Sequence, residues 1–299
     1  MIVAQGADFM EYWFILSVLV AFLWGASGVF SKYATPRIGI MGVAMLIIGV
    51  EGLMYSSAFL VWHESASIGW DDALLALGSC MVGIIGYLCF FESLMQGQVA
   101  IAGTISAAYP ALAVLGAVVI LSERLSSVQS IGVIAIIIGI VALSYEPNPG
   151  SKTAMSKKTL AYALAAFAFW GLWSFTSKVA VDRIGAGNLF AFYSASALIT
   201  PTLYILMRRQ RLEEQRPAMR PRTAWILGGT GLAINVAGAY AFSFALQTGS
   251  ASLVVPISSA YPVITVILAI AFLKEKIHWI HFGPLAMVVA GLVMIGLTV

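Results

Sequence analysis

Apolar residues run through this chain in stretches of about twenty, each bounded by a short polar segment. A helix needs about 20 mostly apolar residues to cross the hydrocarbon core of a bilayer. Ten stretches meet this requirement, and we predict a spanning helix in each: 12–31, 41–62, 73–95, 99–121, 128–145, 160–180, 188–207, 223–246, 251–273 and 279–298. The pattern therefore predicts an all-α membrane protein with ten transmembrane helices in the lipid bilayer.

The composition supports a membrane protein and excludes several other classes. Apolar residues make up 61% of the chain and charged residues 10%, against about 45–50% and about 25% in soluble domains. The formal net charge is +3 without a basic domain or arm, so we expect no nucleic-acid partner. The first apolar stretch is too long for a signal-peptide core and lacks a cleavage pattern, so we expect it to remain as a helix.

The positive charges are distributed unequally between the two sides of the predicted bundle. Thirteen of the 16 Lys and Arg residues follow spans 1, 3, 5, 7 and 9, and six of these are arginines in segment 208–222. The side richer in Lys and Arg is normally cytoplasmic. We therefore predict a multi-pass protein of the cell inner membrane whose two termini face the periplasm.

The sequence repeats itself at a nearly constant offset. Residues 106–110 read Ser-Ala-Ala-Tyr-Pro, and residues 258–262, 152 positions later, read Ser-Ser-Ala-Tyr-Pro. The Trp24-Gly25 pair returns as Trp170-Gly171 at an offset of 146, and Leu-x-Glu at 121–123 returns at 273–275. These matches predict a five-helix repeat in residues 1–146, a linker at 147–158 and a second repeat in 159–299. Because five is odd, the second repeat enters the membrane from the opposite side, which makes the two repeats inverted.

With these features the chain resembles the drug/metabolite transporter superfamily, EamA-type, over essentially its full length. The resemblance rests on ten spans, duplicated halves, the Trp-Gly start, the small-residue-Tyr-Pro motif and the Leu-x-Glu corner. The cluster Trp170-Gly171-x-Trp173 is most similar to YddG-type amino-acid exporters. The resemblance implies a central cavity between the halves that opens alternately to each side, and export of metabolites, often amino acids.

Tyrosine and proline in the repeated motif are the first candidate site residues. Pro110 and Pro262 each free a backbone carbonyl near the middle of a span, which is a sequence pointer to the binding site of a secondary transporter. A proline kink at this depth can also act as the bending point of a gate. Tyr109 and Tyr261 need partners for their hydroxyls, which a wet cavity or a neighbouring helix can provide.

Three tryptophans lie deeper in their spans than interfacial anchors normally do. Trp24, Trp170 and Trp173 are candidates for flat cavity walls against an apolar side chain, the alternative being plain packing. Three further polar side chains lie within apolar runs and could bind substrate or join one helix to another: Tyr87, Asn235 and Tyr240.

Two acidic residues fall inside predicted spans. Glu51 lies midway along the second span, where burial of a charge is costly, so proton coupling or recognition of an amine is possible. Glu92 is nearer the inner end of the third span and could reach the cytoplasmic surface. Both are candidate coupling residues.

The sequence favours transport over catalysis. The histidines, His63, His278 and His281, lie at span ends, and we find no metal-ligand or nucleophile–base spacing. We expect no catalytic residue, metal or cofactor, and a chain that functions as a monomer. The leading hypothesis is an alternating-access secondary transporter that exports neutral or aromatic amino acids or similar small metabolites. Alternatives are export of cationic drugs with Glu51 as counter-charge, transport of phosphorylated metabolites, which would require deep Lys or Arg, and a membrane scaffold.

Overall fold

The computed structural model describes residues 5–95, 99–144, 157–214, 221–273 and 279–299. Within these ranges the chain is helical and contains no strand, which confirms the all-α prediction. The α-helices are α1 (Gln5–Leu46), α2 (Gly52–Trp62), α3 (Trp70–Met95), α4 (Val99–Ala107), α5 (Tyr109–Val119), α6 (Ser127–Leu143), α7 (Lys157–Ile184), α8 (Ala186–Glu214), α9 (Arg222–Thr248), α10 (Ala251–Ser258), α11 (Tyr261–Leu273) and α12 (Phe282–Gly296). A π-helical segment, Ile47–Glu51, precedes α2, and a 3₁₀ turn, Trp279–His281, precedes α12.

Eight helical stretches in the described ranges are long and apolar enough to cross a membrane. Two shorter apolar helices, Gly103–Val119 and Ser127–Leu143, correspond to the fourth and fifth predicted spans. The eight stretches are therefore established by length and composition, while the count of ten crossings stays a prediction. Most of the predicted linker, residues 147–156, lies outside the described ranges.

The connection between the first two predicted spans is shorter than the sequence suggested. Helical structure continues through residues 32–38, with Pro36 inside α1, and the helical path breaks only at Gly39. Gly39 has φ 69° and ψ 174°, a conformation that costs glycine little but strains residues with a side chain. The predicted gap at 32–40 thus contracts to a turn around this residue.

The fourth and ninth predicted spans are each broken near the middle. The first break is at Ala108, between α4 and α5, and the second is at residues 259–260, between α10 and α11. Proline lacks an N–H group and clashes with the carbonyl four residues earlier. Pro110 and Pro262 are accordingly the second residues of α5 and α11, where a missing N–H costs nothing.

Four pairings hold the helices together: α1 packs along α9, α3 along α7, α6 along α12 and α2 against α8. Glycine permits the closest of these contacts. A Cβ on Gly238 of α9 would lie 2.6 Å from Trp24, and one on Gly86 of α3 would lie 2.8 Å from Trp170. The two pairs are related by the offsets 146 and 152 found in the sequence, so the α1–α9 and α3–α7 contacts repeat one packing motif.

Candidate functional site: a central aromatic cavity

A cavity of about 740 Å³ lies where α1, α3, α4, α5, α6, α7, α9 and α11 meet. A volume of this size suits a small-molecule ligand. Its lining is Trp24, Ser27, Gly28, Ser31, Thr35, Pro36, Ile40, Tyr87, Phe90, Phe91, Gly103, Ser106, Ala107, Tyr109, Leu143, Ser144, Trp170, Trp173, Asn235, Tyr261, Pro262, Thr265 and Val266. The lining is mainly aromatic and aliphatic, with hydroxyl groups between the rings.

The cavity brings together seven of the eight side chains expected to bind substrate, together with one of the two prolines. The members of this group are Trp24, Tyr87, Tyr109, Trp170, Trp173, Asn235, Tyr261 and Pro262. Tyr240 lies elsewhere, in a groove that includes Met54 and Trp62. Pro110 is buried at the start of α5 and does not line the cavity.

Two aromatic clusters contribute rings to the lining, and they have the same composition. Trp24 lies 5.3 Å from Phe242 and 6.3 Å from Tyr261, measured between ring centroids. Trp170 lies 5.2 Å from Phe90 and 5.8 Å from Tyr109. Each ring of one cluster is the sequence repeat of a ring in the other, at offsets of 146 and 152.

Trp173 joins the Trp24 cluster and has no repeat counterpart of the same kind. Its ring stacks on Phe242 at 5.3 Å and lies 6.2 Å from Trp24. The indole N–H of Trp173 donates to the Tyr193 hydroxyl at 3.0 Å. This bond and the stack fix the orientation of the ring, since a buried indole needs a partner for its N–H.

Hydrogen bonds hold two more of the expected residues in place. The Trp24 indole N–H donates to the backbone carbonyl of Asn235 at 3.2 Å, which ties α1 to α9. The hydroxyls of Tyr109 and Ser259 share a hydrogen bond of 2.6 Å between α5 and the turn after α10. Both bonds satisfy polar groups that would otherwise be costly to bury.

Among the side chains that the structure describes, those that line the cavity include no Lys, Arg, Asp or Glu. Glu51 ends the π-helical segment before α2 and lies outside the lining, and so does Glu92. Glu92 is 8% exposed and accepts a hydrogen bond of 2.8 Å from the Tyr204 hydroxyl. The described part of the cavity wall thus carries no charged side chain.

The sequence prediction missed the hydroxyl groups of the cavity. Ser27, Ser31 and Thr35 line it from α1, and Ser106 and Thr265 line it from α4 and α11. Residues four apart share one face of a helix. A hydroxyl at every fourth position from Ser27 to Thr35 was therefore a readable signal of a polar stripe facing the cavity.

The cavity reaches one end of the helix bundle and stops short of the other. Its lining extends to Pro36 and Ile40 at the α1 turn, and to Ser144 just after α6. We call this the open end. At the closed end, α5 packs against α10. There the Asn188 amide donates to the Glu64 carbonyl at 3.1 Å, and the Glu64 N–H donates back to Asn188 at 3.0 Å.

Comparisons with known proteins agree with this architecture. An uncharacterized transporter from Archaeoglobus fulgidus is 25% identical over 272 residues, which cover 89% of this chain and 91% of that protein. An uncharacterized protein from Methanocaldococcus jannaschii is 28% identical over 137 residues, covering 98% of its own length but 45% of this chain. This second relative is therefore about as long as one half of the chain.

A solved crystal structure has the same fold. It superposes with a TM-score of 0.75, covers 96% of this chain and 99% of its own, and is 19% identical. The model of the EamA-like transporter family matches the sequence twice, over residues 11–145 and again over residues 157–297. The protein with this helical bundle and aromatic cavity is a membrane transporter that belongs to the EamA-like transporter family.

Proposed function

We propose that this protein is an alternating-access secondary transporter that exports neutral amino acids, with a preference for apolar and aromatic side chains. The observation that carries the proposal is the cavity, whose described lining consists of aromatic rings, aliphatic groups and hydroxyls without a charged residue. We further propose that its specificity is that of YddG-type amino-acid exporters. The aromatic clusters around Trp24 and Trp170 support this proposal.

An amino-acid zwitterion matches the chemistry of this lining. An isolated charge at mid-membrane depth costs several kcal/mol unless it is paired, and a zwitterion carries its own pair. The carboxylate can accept hydrogen bonds from hydroxyls such as those of Ser31 and Tyr87, and the ammonium can rest on aromatic faces. The side chain then fits between Trp24 and Trp170, where offset and edge-on ring contacts are favourable.

We propose that the halves, 1–146 and 159–299, are inverted five-helix repeats joined by the linker 147–158. Three findings support this: the two family matches, the half-length archaeal relative and the repeated Trp24–Gly238 and Trp170–Gly86 contacts. Two equivalent halves explain alternating access, because exchanging their arrangements converts an open end into a closed one.

The orientation follows from the same proposal. The open end carries the connections that are rich in Lys and Arg, so the positive-inside rule puts it in the cytoplasm. The structure then corresponds to a state that admits substrate from the cytoplasm, as an exporter requires. The termini would face the periplasm of the inner membrane. We propose action as a monomer, because residues of a single chain line the described cavity.

A flux assay in proteoliposomes tests the substrate class. Reconstituted protein should accumulate radiolabelled phenylalanine or leucine by counterflow against the unlabelled amino acid, while glucose 6-phosphate and succinate should not move above empty liposomes. The absence of Lys and Arg from the described lining is the reason to expect no phosphorylated substrate. Preferential counterflow of glucose 6-phosphate would overturn the amino-acid proposal.

A second candidate is export of aromatic organic cations. The same rings that favour an aromatic amino acid attract a delocalised cation through its contact with the ring faces. Tetraphenylphosphonium belongs in the counterflow panel for this reason. Transport of this cation without transport of phenylalanine would favour the second candidate.

A further inference from the structure

The connection between α9 and α10, at the closed end, is held by a carboxylate from a distant part of the chain. The two oxygens of Glu123 accept the backbone N–H groups of Ala251 and Ser252, each at 2.8 Å. These are the first two residues of α10, whose N-cap, Ser250, makes no capping bond with its own side chain. Glu123 therefore supplies the capping interaction that a helix N-terminus requires, and its negative charge suits the positive end of the helix dipole.

The other end of the same connection is held by a residue of opposite charge. The Lys178 ammonium donates to the Leu246 carbonyl at 2.8 Å, near the C-terminus of α9, and to Asp182 at 2.7 Å. A cation at a helix C-terminus is favourable for the same dipole reason. Lys178 and Glu123 thus hold the two ends of the connection between α9 and α10.

The corner that carries Glu123 is itself fixed. The Glu123 N–H donates to the Ala117 carbonyl in the last turns of α5 at 3.2 Å, and Ser122 before it has φ 58°. At the far end of this corner Ser126 caps α6 with a complete capping box. Glu123 thus joins α5 of the first half to α10 of the second half across the closed end.

The two halves differ in the surroundings of α10 and of its repeat counterpart, α4. Every residue of α10 is buried, and the Ser258 hydroxyl has no hydrogen-bond partner among the described residues. Its repeat counterpart, Ser106 of α4, lines the cavity. Opening the closed end would bring Ser258 into the cavity lining, as Ser106 is here, and it would require α10 to leave α5.

We propose that Glu123, bound to the Ala251 and Ser252 amides, is a latch that keeps the cavity shut at the closed end. The inference rests on the proposed alternating access, and it makes Glu123 a positioning residue that never touches substrate. Loss of the latch should shift the population toward the state that is open at the opposite end. Removing one charge-assisted hydrogen bond changes such an equilibrium by a factor on the order of 10.

Two cysteine reporters measure this shift, in a background carrying Cys80→Ala and Cys89→Ala. Ser258→Cys is nearly isosteric and removes no hydrogen bond to the described residues. Because residue 258 is buried here, its labelling reports opening of the closed end. Gly103→Cys reports the present cavity, because Gly103 lines it and a Cβ there meets no atom of the described residues within 4 Å. A membrane-impermeant maleimide is applied to purified protein in liposomes of each orientation, and labelling rates are compared.

Glu123→Gln should raise labelling of the Ser258→Cys reporter about tenfold from the closed-end side, by the factor given above. The same substitution should lower labelling of the Gly103→Cys reporter from the other side. Opposite changes mark a population shift, whereas partial unfolding would raise both rates. Asp72→Asn is the matched control, since it removes an exposed ion pair with Arg183, of 3.1 Å, at the same end of the bundle. Because exposed ion pairs contribute little, its labelling rates should stay within about twofold of the parent.

A second variant removes the bond from the other partner. Ala251→Pro deletes one N–H that Glu123 accepts, at the first helical position, where proline is well tolerated. It should produce the same pair of opposite changes, and its effect should not add fully to that of Glu123→Gln.

Unchanged labelling in monodisperse Glu123→Gln protein would overturn the latch, and so would aggregation of both variants, which would assign Glu123 to folding alone. The reporters need no substrate. Opposite labelling changes without phenylalanine counterflow would therefore uphold the latch and reject the proposed substrate. Phenylalanine counterflow with unchanged labelling would reject the latch and uphold the proposed substrate.

Discussion

Gly238 offers a sharp test of whether the Trp24 ring is held in the cavity wall by helix packing. Alanine at this position would bring a Cβ to 2.6 Å from Trp24 Cδ1 and 2.7 Å from its Nε1. These atoms belong to a rigid ring that is 8% exposed and packed on Phe242 and Tyr261, so the ring has to move. The movement would also strain the bond from Nε1 to the Asn235 carbonyl.

The cost can be worked out from these contacts. Overpacking a tight interior costs about 1–3 kcal/mol, and loss of one neutral hydrogen bond adds about 1 kcal/mol. Alanine regains about 1 kcal/mol of helix propensity over glycine. Gly238→Ala should therefore lower the free energy of unfolding by about 1–3 kcal/mol. If the displaced ring forms part of the substrate site, kcat/KM for phenylalanine transport should fall about tenfold. This fall corresponds to a loss of ~1.4 kcal/mol of transition-state stabilisation.

Gly229 on the same helix is the matched control. A Cβ there would have its nearest neighbour, Leu46, at 3.9 Å, which is ordinary contact. Gly229→Ala should keep or raise thermal stability in detergent and leave phenylalanine counterflow unchanged, whereas Gly238→Ala should lower both. Equal stability and equal flux in the two variants would show that the close approach of Trp24 to α9 does not position the ring.

Three further predictions address the other parts of the site. Tyr109→Phe, which removes the hydroxyl bonded to Ser259, should lower melting temperature slightly and change flux; loss of folded protein instead would favour a packing role. Glu92→Gln retains an oxygen that can accept from Tyr204, so counterflow should remain within about twofold, and a larger loss would assign Glu92 to coupling. A cysteine at Arg222, an exposed helix start, should resist an impermeant maleimide in intact cells, and ready labelling would reverse the proposed orientation.

Much of the helical fold could be read from sequence because membrane burial leaves a one-dimensional signal. Apolar stretches of spanning length mark helices whatever their neighbours are, and eight of them are long enough in the described structure. The breaks before Tyr109 and Tyr261 were also legible, since proline disrupts a helix by its own covalent structure. The extent of α1 was not, because a single glycine with positive φ decides where that helix turns.

Some residues of the candidate site could be predicted from the sequence, and others could not. Trp24, Trp170, Tyr109 and Tyr261 stood out in the sequence because they recur at similar offsets, 146 and 152, and need partners at membrane depth. Tyr240 had the same local appearance, yet its position on α9 directs it to a separate groove. The face of a helix that lines the cavity depends on which helices pack together, and the sequence of a single helix does not show this.

The sequence alone therefore determined the class of the protein, its helical character, the duplicated motif and the mid-span breaks. All of these depend on local composition, covalent geometry or repetition. The tertiary structure decided that α1 packs on α9 and α3 on α7, and hence that the described cavity wall carries no charge. It also decided that Glu123 meets Ala251 and Ser252, 128 and 129 residues away. Such contacts arise only when distant segments come together, since each depends on the packing of the whole bundle.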